Sequence, residues 1–301
     1  MDMLYGKYDV LATGGAFGDV LFFFCSGYTL FLKPMNSISE FPDWYKRRIN
    51  RIYPTVFSVA ILACTFFGNH NDINTILIHG GGWFVSCIML YYIGIFITGV
   101  YFMDKLKVIA LLVVAGSAIW FYSVYKNPDF TTLYSPEQYI RWLLFFIFML
   151  FGAKLGSKQN VKSKPAIDVL LLLVSIGSFY AIFIASTKIS SLHGIQFLSF
   201  IPLLCAVYYF YKVCASKQAE KVYKSKVGFF LIRFIGGLCL EIYLVQHYLF
   251  TDKMNNIFPL NLIIMFAVIV IAAYVTRCFA RFISQTFKDN PYDWKKIIEW
   301  Y

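Results

Sequence analysis

Charge is what this 301-residue sequence has least of: Asp, Glu, Lys and Arg make up 14% of it, against 59% hydrophobic residues. Soluble domains carry about 25% charged residues, so the chain lacks the polar surface needed to face water. Strict polar–apolar alternation is missing as well, which argues against a β-barrel. None of the seven cysteines (Cys25, Cys64, Cys87, Cys205, Cys214, Cys239, Cys278) forms a CxxC pair, and all lie in or beside apolar runs. They read as small packing residues, with no disulfide framework and no zinc site. There is no HExxH, GxSxG or Walker-type loop. Nor is there an RNP, helix-turn-helix or zinc-finger pattern, so no nucleic-acid partner is expected despite a net charge of +11. The start, MDMLYGKYDVLATGG, lacks a basic segment followed by an apolar core, so no cleavable signal peptide is expected.

What is present is a series of long apolar runs. A spanning helix needs ~20 apolar residues, and nine stretches qualify: 16–32, 52–68, 83–103, 106–125, 140–156, 166–186, 195–213, 228–250 and 260–279. The expected fold is an all-α polytopic membrane bundle forming one integral domain over 1–301. Placing the 33–51 connection in the cytoplasm puts 22 of the 27 Lys and Arg residues on that side and five on the other. Cytoplasmic loops carry just such an excess. Residues 1–15 then start outside, 33–51 is a basic cytoplasmic loop, and 280–301 is a cytoplasmic tail. The tail is expected at the interface through Trp294 and Trp300. The expected location is the cell membrane, with lipids as partners.

Two groups of residues stand out chemically. The stretch WYKRRINRIYP, Trp44 to Pro54, packs four cations into six residues between two apolar runs. The plain reading of Arg47, Arg48 and Arg51 is anchoring against anionic headgroups. The alternative uses spacing: Arg48 and Arg51 are three apart, share a helix face, and could grip a phosphate or pyrophosphate with two guanidinium forks. The second group is ionisable residues inside apolar runs, where burial is costly and function is the default hypothesis. Asp19, Glu241 and His247 qualify. Against each stands a bland reading: Glu241 as the packing partner of Arg233 two turns earlier, His247 as an interfacial ring beside Tyr248. Glu241 and His247 are ~120° and ~9 Å apart on an unbroken helix, so they form no dyad. The topology does allow His247 to meet Asp19. His70, His79 and His193 lie in outside loops without ligand spacing, and no metal is expected.

Four stretches in order resemble the acyltransferase family 3 membrane proteins, which O-acylate cell-surface glycans. FGDVLFFFCSGYTLF is similar to the family's G-x-x-x-FF-x-x-SG helix, and FPDWYKRRINRIYP to its F-x-x-(R/K)R-x-x-R-I-x-P loop. WFVSCIMLYYIGIF resembles its W(F/Y)-x-x-x-x-x-x-Y helix, and LEIYLVQHYLF its late S/E-x-Y-L-x-H helix. The resemblance implies a fold of ten or more helices and a cytoplasmic entrance for acetyl-CoA. It also implies that the arginine pair matching Arg48 and Arg51 holds the CoA phosphates. The family's first helix carries an Arg and, about ten residues on, a His taken as the base. No such pattern precedes Phe17, so that helix is expected to be missing and the chain as given could be inactive.

The expected function is therefore a membrane O-acyltransferase. Acetyl-CoA would be the donor, a hydroxyl of a polysaccharide or lipid-linked glycan the acceptor, and glycan-assembly proteins further partners. Arg48 and Arg51, with Arg47, would bind CoA, while Glu241, His247 and Asp19 are the candidate catalytic residues. The alternative is a non-enzymatic carrier or flippase for a glycan or small anion, suggested by the odd helix count and the Glu241/Arg233 pair.

Overall fold

The computed structural model describes residues 15–33, 35–69, 72–80, 82–127, 130, 132–135, 138–157, 161–287 and 290–300. Residues 1–14, where the extracytoplasmic start was expected, lie outside the described residues. Among the described residues there are thirteen α-helices and no strand. In chain order they are α1 (Ala16–Leu30), α2 (Phe41–Phe67), α3 (Ile73–His79), α4 (Trp83–Tyr101), α5 (Leu106–Val124), α6 (Ile140–Gly156) and α7 (Pro165–Lys188). They continue as α8 (Phe200–Cys214), α9 (Lys217–Lys224), α10 (Lys226–Gly237), α11 (Cys239–Leu249), α12 (Leu260–Thr286) and α13 (Trp294–Ile297). The protein is an all-α polytopic membrane bundle. Leu111, Ile119, Leu170, Leu173, Ile263 and Ile271 stand exposed along its helices, a surface that only hydrocarbon covers without penalty.

The nine apolar runs all become helix, of unequal length. Six segments are long and apolar enough to span: Ile38–Phe67, Trp83–Tyr101, Met103–Val124, Pro165–Lys188, Ser190–Cys214 and Leu260–Thr286. A seventh, expected as one helix over 228–250, is α10 and α11 bent by 63° at Leu238. The remaining two are shorter, α1 with 15 residues and α6 with 17. At 1.5 Å per residue they reach only ~22–25 Å, less than the ~30 Å hydrocarbon core. For α1 the start is fixed by Gly15, whose left-handed φ of 77° ends the helical path there.

A second correction concerns 33–51, read from the sequence as a loop. Only its first part is irregular. Ser37 caps a 3-10 turn over Ile38–Glu40 by accepting a hydrogen bond from the Ser39 N–H at 3.3 Å, and from Phe41 onward the chain is α2. Pro42 in the first turn costs no backbone bond. The basic stretch is therefore the first half of a 27-residue helix. Pro54 within it lacks the N–H that would bond the carbonyl one turn back.

The chain packs as two compact units. One comprises residues 15–41 and Leu90–Lys221, the other Pro42–Met89 and residues 222–300. In the first, α1 lies most extensively on α6. Side chains are absent where the backbones meet: a Cβ on Gly27 would overlap the Met149 carbonyl, and one on Gly152 the Phe24 carbonyl. Gly152 and Gly156 form a GxxxG pair that lets the two backbones touch. In the same unit the Lys212 ammonium meets the Asp168 carboxylate at 2.5 Å, tying α8 to α7. In the second unit, the tail after α12 folds back onto it. Trp300 stacks on Tyr274 at 5.0 Å, and the Tyr274 hydroxyl donates to the Ile298 carbonyl at 2.7 Å.

Gly152→Leu is expected to force α1 off α6, with an overpacking cost of about 3 kcal/mol. The check is thermal unfolding of purified protein, where Gly152→Leu should melt several degrees below wild type and Gly116→Leu, at an open position, should not.

Candidate active site

In the second unit three helices bring polar groups together inside apolar surroundings. Near the start of α2, Trp44 is buried at 7% exposure and the Arg48 guanidinium lies over its ring at 4.8 Å. This cation–π contact holds one arginine of the pair in place, while Arg47 and Arg51 are exposed. Seven positions further along α2, about 10 Å, is Thr55. Its hydroxyl donates to Glu241 Oε1 at 3.4 Å.

Glu241 occupies the first turn of α11 at 5% exposure. A carboxylate there faces unsatisfied backbone N–H groups and the positive end of the helix dipole. Its partner is Arg277 of α12, not Arg233. The Arg277 Nε donates to Oε1 at 3.3 Å and Nη2 to Oε2 at 3.1 Å, a two-pronged grip. The same Nη2 donates to the Gly237 carbonyl, at the last residue of α10. The bend between α10 and α11 is what redirects the pair. Arg233 and Glu241 would share a face on one straight helix, but they sit on two helices 63° apart. Arg233 lies instead over the Phe229 ring at 4.9 Å.

Arg277 thus joins the two broken ends. Helix C-termini leave carbonyls unbonded and favour cations, and N-termini favour anions. Gly237 makes room for it, since a Cβ there would come within 2.9 Å of Arg277 Nη1. His247, on the same α11, is exposed and meets the Tyr248 ring edge-on at 6.1 Å. The structure does not bring it to Glu241.

Asp19 belongs to the first unit, buried at 5% exposure in α1. No hydrogen bond from any described residue reaches its Oδ2. Arg141 of α6, fully buried, interacts with it electrostatically and donates through Nη1 to the Tyr134 carbonyl. Tyr134 continues the network by bonding the Ser199 hydroxyl at 2.6 Å. Burial pushes the Tyr134 pKa upward, against the opposing pull of Ser199, so the phenol stays a donor.

Of the other histidines, His193 is exposed in the 3-10 segment Ser190–Ser199 and His79 ends α3. His70 lies outside the described residues. None of the seven cysteines forms a disulfide. Among the described residues no cluster of three His, Cys, Asp or Glu is placed to hold a metal ion. Arg277 and Arg141 are the functional candidates that sequence reasoning missed. The signal was available, because each is a cation within a run read as a span. Both had been counted only as marks of topology.

A polytopic helical bundle with a cationic helix end, a broken span and a buried ion pair at the break defines the class: a membrane-embedded protein with a polar site inside its helices. The model of an acyltransferase domain, that of acyltransferase family 3, matches residues 2–278, and the chain belongs to that family. It is a membrane acyltransferase that transfers acyl groups other than amino-acyl groups, which sets the carrier reading aside. Searches of curated proteins and of solved structures returned no match.

Removing one partner of a buried ion pair strands the other, at about 3–5 kcal/mol. Arg277→Leu should therefore unfold at lower temperature than wild type. The double variant Arg277→Leu/Glu241→Leu should recover most of the loss, as a thermal melt of the three proteins would read.

Proposed function

We propose that this acyltransferase moves an acetyl group from acetyl-CoA to a hydroxyl of a polysaccharide or lipid-linked glycan. The observation that carries the reading is that α2 holds the arginine pair and, about 10 Å further on, touches the Glu241–Arg277 cluster. Arg48 and Arg51 take the CoA phosphates, with Arg47 adding charge beside them. The thioester then reaches along α2 toward Thr55. The acceptor oxygen attacks the thioester carbonyl carbon and its proton passes to a general base. The tetrahedral intermediate collapses, the C–S bond breaks, and CoA leaves as a thiolate that is then protonated.

Glu241 has both carboxylate oxygens engaged by Arg277 and one by Thr55 as well, which suits it to ordering the site electrostatically more than to taking a proton. His247, exposed on the same helix, is the candidate base of this unit. Asp19, the third candidate, belongs to the other unit and is tested separately. The 22-to-five bias of Lys and Arg supports a cytoplasmic C-terminus. The cell membrane is the proposed location, with glycan-assembly proteins as partners.

The test is transfer of radiolabelled acetyl from acetyl-CoA to the glycan fraction of membranes carrying the protein. Label should appear with wild type and fall at least tenfold with Glu241→Gln, and with whichever of His247→Gln and Asp19→Asn removes the base. Arg48→Lys keeps the charge but loses the planar fork. It should weaken acetyl-CoA binding about tenfold, and unchanged affinity would sink the phosphate role of this helix. A C-terminal fluorescent-protein fusion should glow and an alkaline-phosphatase fusion stay silent if the tail is cytoplasmic.

A further inference from the structure

Directly beyond the Glu241–Arg277 cluster, the same three helices leave a cleft. Val59 is one turn past Thr55 on α2, Val245 one turn past Glu241 on α11, and Thr276 adjoins Arg277 on α12; all three line it, with Ala63 and Ala272 on facing walls. The volume is about 200 Å³. The walls are apolar, and the Thr276 hydroxyl is already spent on the Ala272 carbonyl at 2.9 Å. At the far end the Phe67 and Tyr248 rings meet at 5.7 Å, and the exposed Phe66, Phe67 and Val275 leave the cleft half open to hydrocarbon.

The order along α2 is what gives the cleft a meaning. It runs from the arginine pair to the polar cluster, then to the apolar cleft, then to the aromatic pair. A molecule with phosphates at one end, a thioester in the middle and a hydrocarbon tail matches that order group by group. An acetyl group would leave the cleft nearly empty. A dry cavity of ~150 Å³ holds benzene, so this one accommodates an acyl chain of about six to eight carbons.

We infer that the cleft between α2, α11 and α12 is the acyl-chain site of the donor, and that it admits medium-length acyl-CoA esters beside acetyl-CoA and binds them more tightly. This rests on the acyl-CoA reading above. The carbonyl would sit by Glu241 and Arg277, with the chain running past Val59 and Val245 toward Phe67. Ala63 and Ala272, the small residues on facing walls, set the width.

The experiment measures binding of CoA, acetyl-CoA, hexanoyl-CoA and dodecanoyl-CoA to the full chain in lipid nanodiscs, with empty nanodiscs correcting for partition into lipid. Each buried methylene strengthens binding about fourfold, so hexanoyl-CoA should bind at least tenfold tighter than acetyl-CoA, with dodecanoyl-CoA weaker than hexanoyl-CoA. Ala272→Phe, which fills the cleft from α12, should abolish the hexanoyl preference and leave CoA affinity unchanged. Ala63→Phe, from the opposite wall, should do the same. A hexanoyl-CoA analogue with a diazirine at the chain end should label peptides holding Phe67, Leu249 or Ala272, a readout that needs no variant. Equal affinity for hexanoyl-CoA and acetyl-CoA would mean that a bilayer lipid tail fills the cleft, and would overturn the inference while sparing the acetyl-CoA reading. Labelling elsewhere would overturn it too. Failure of CoA and acetyl-CoA alike to bind would remove the acyl-CoA reading itself.

Discussion

The grip of Arg277 on Glu241 and on the Gly237 carbonyl is the constraint on which the second unit depends. A helix that breaks within the membrane exposes carbonyls at one end and N–H groups at the other, and hydrocarbon offers them no partner. A single guanidinium from α12 bonds the carbonyl end directly and holds the carboxylate that sits at the N–H end. The polar cluster and the break are one feature, and Gly237 is its steric condition.

The first unit solves its packing by a different route. Its charged centre, Arg141 with Asp19, is buried near the starts of α1 and α6, which touch backbone to backbone further along at Gly27, Gly152 and Gly156. Close approach of that kind excludes lipid from the seam, the Tyr134 carbonyl takes one donor of the buried guanidinium, and the Tyr134 hydroxyl bonds Ser199. Two short helices can pack closely here because their glycines let the backbones touch.

Along α2 the chemistry is laid out by simple arithmetic of helical rise. Cations occupy its first turns, where a charged headgroup or phosphate can stay outside the hydrocarbon. Thr55, about two turns on, reaches the ion pair, and the apolar residues from Val59 onward line a cleft. A single helix thus presents three environments in the order that a long amphiphilic ester needs them. A basic loop could not have done this, because it would have fixed neither the spacing nor the direction of the arginines.

By itself the sequence determined the class of the protein, the places of its apolar helices, the family, and the arginine pair and Glu241 as residues to examine. These follow from local composition and from periodicity within one run, which need no knowledge of neighbours. Only the tertiary structure decided that Glu241 pairs with Arg277, 36 residues away, instead of Arg233 on what read as its own helix. It alone made 41–51 helical, bent the 228–250 run at Leu238, and drew Arg141 into the interior. The physical reason is shared by all of these. Helical periodicity assigns faces only as far as a helix stays unbroken, whereas the place of a break, and the partner of a buried charge, are settled by what packs against it from elsewhere in the chain.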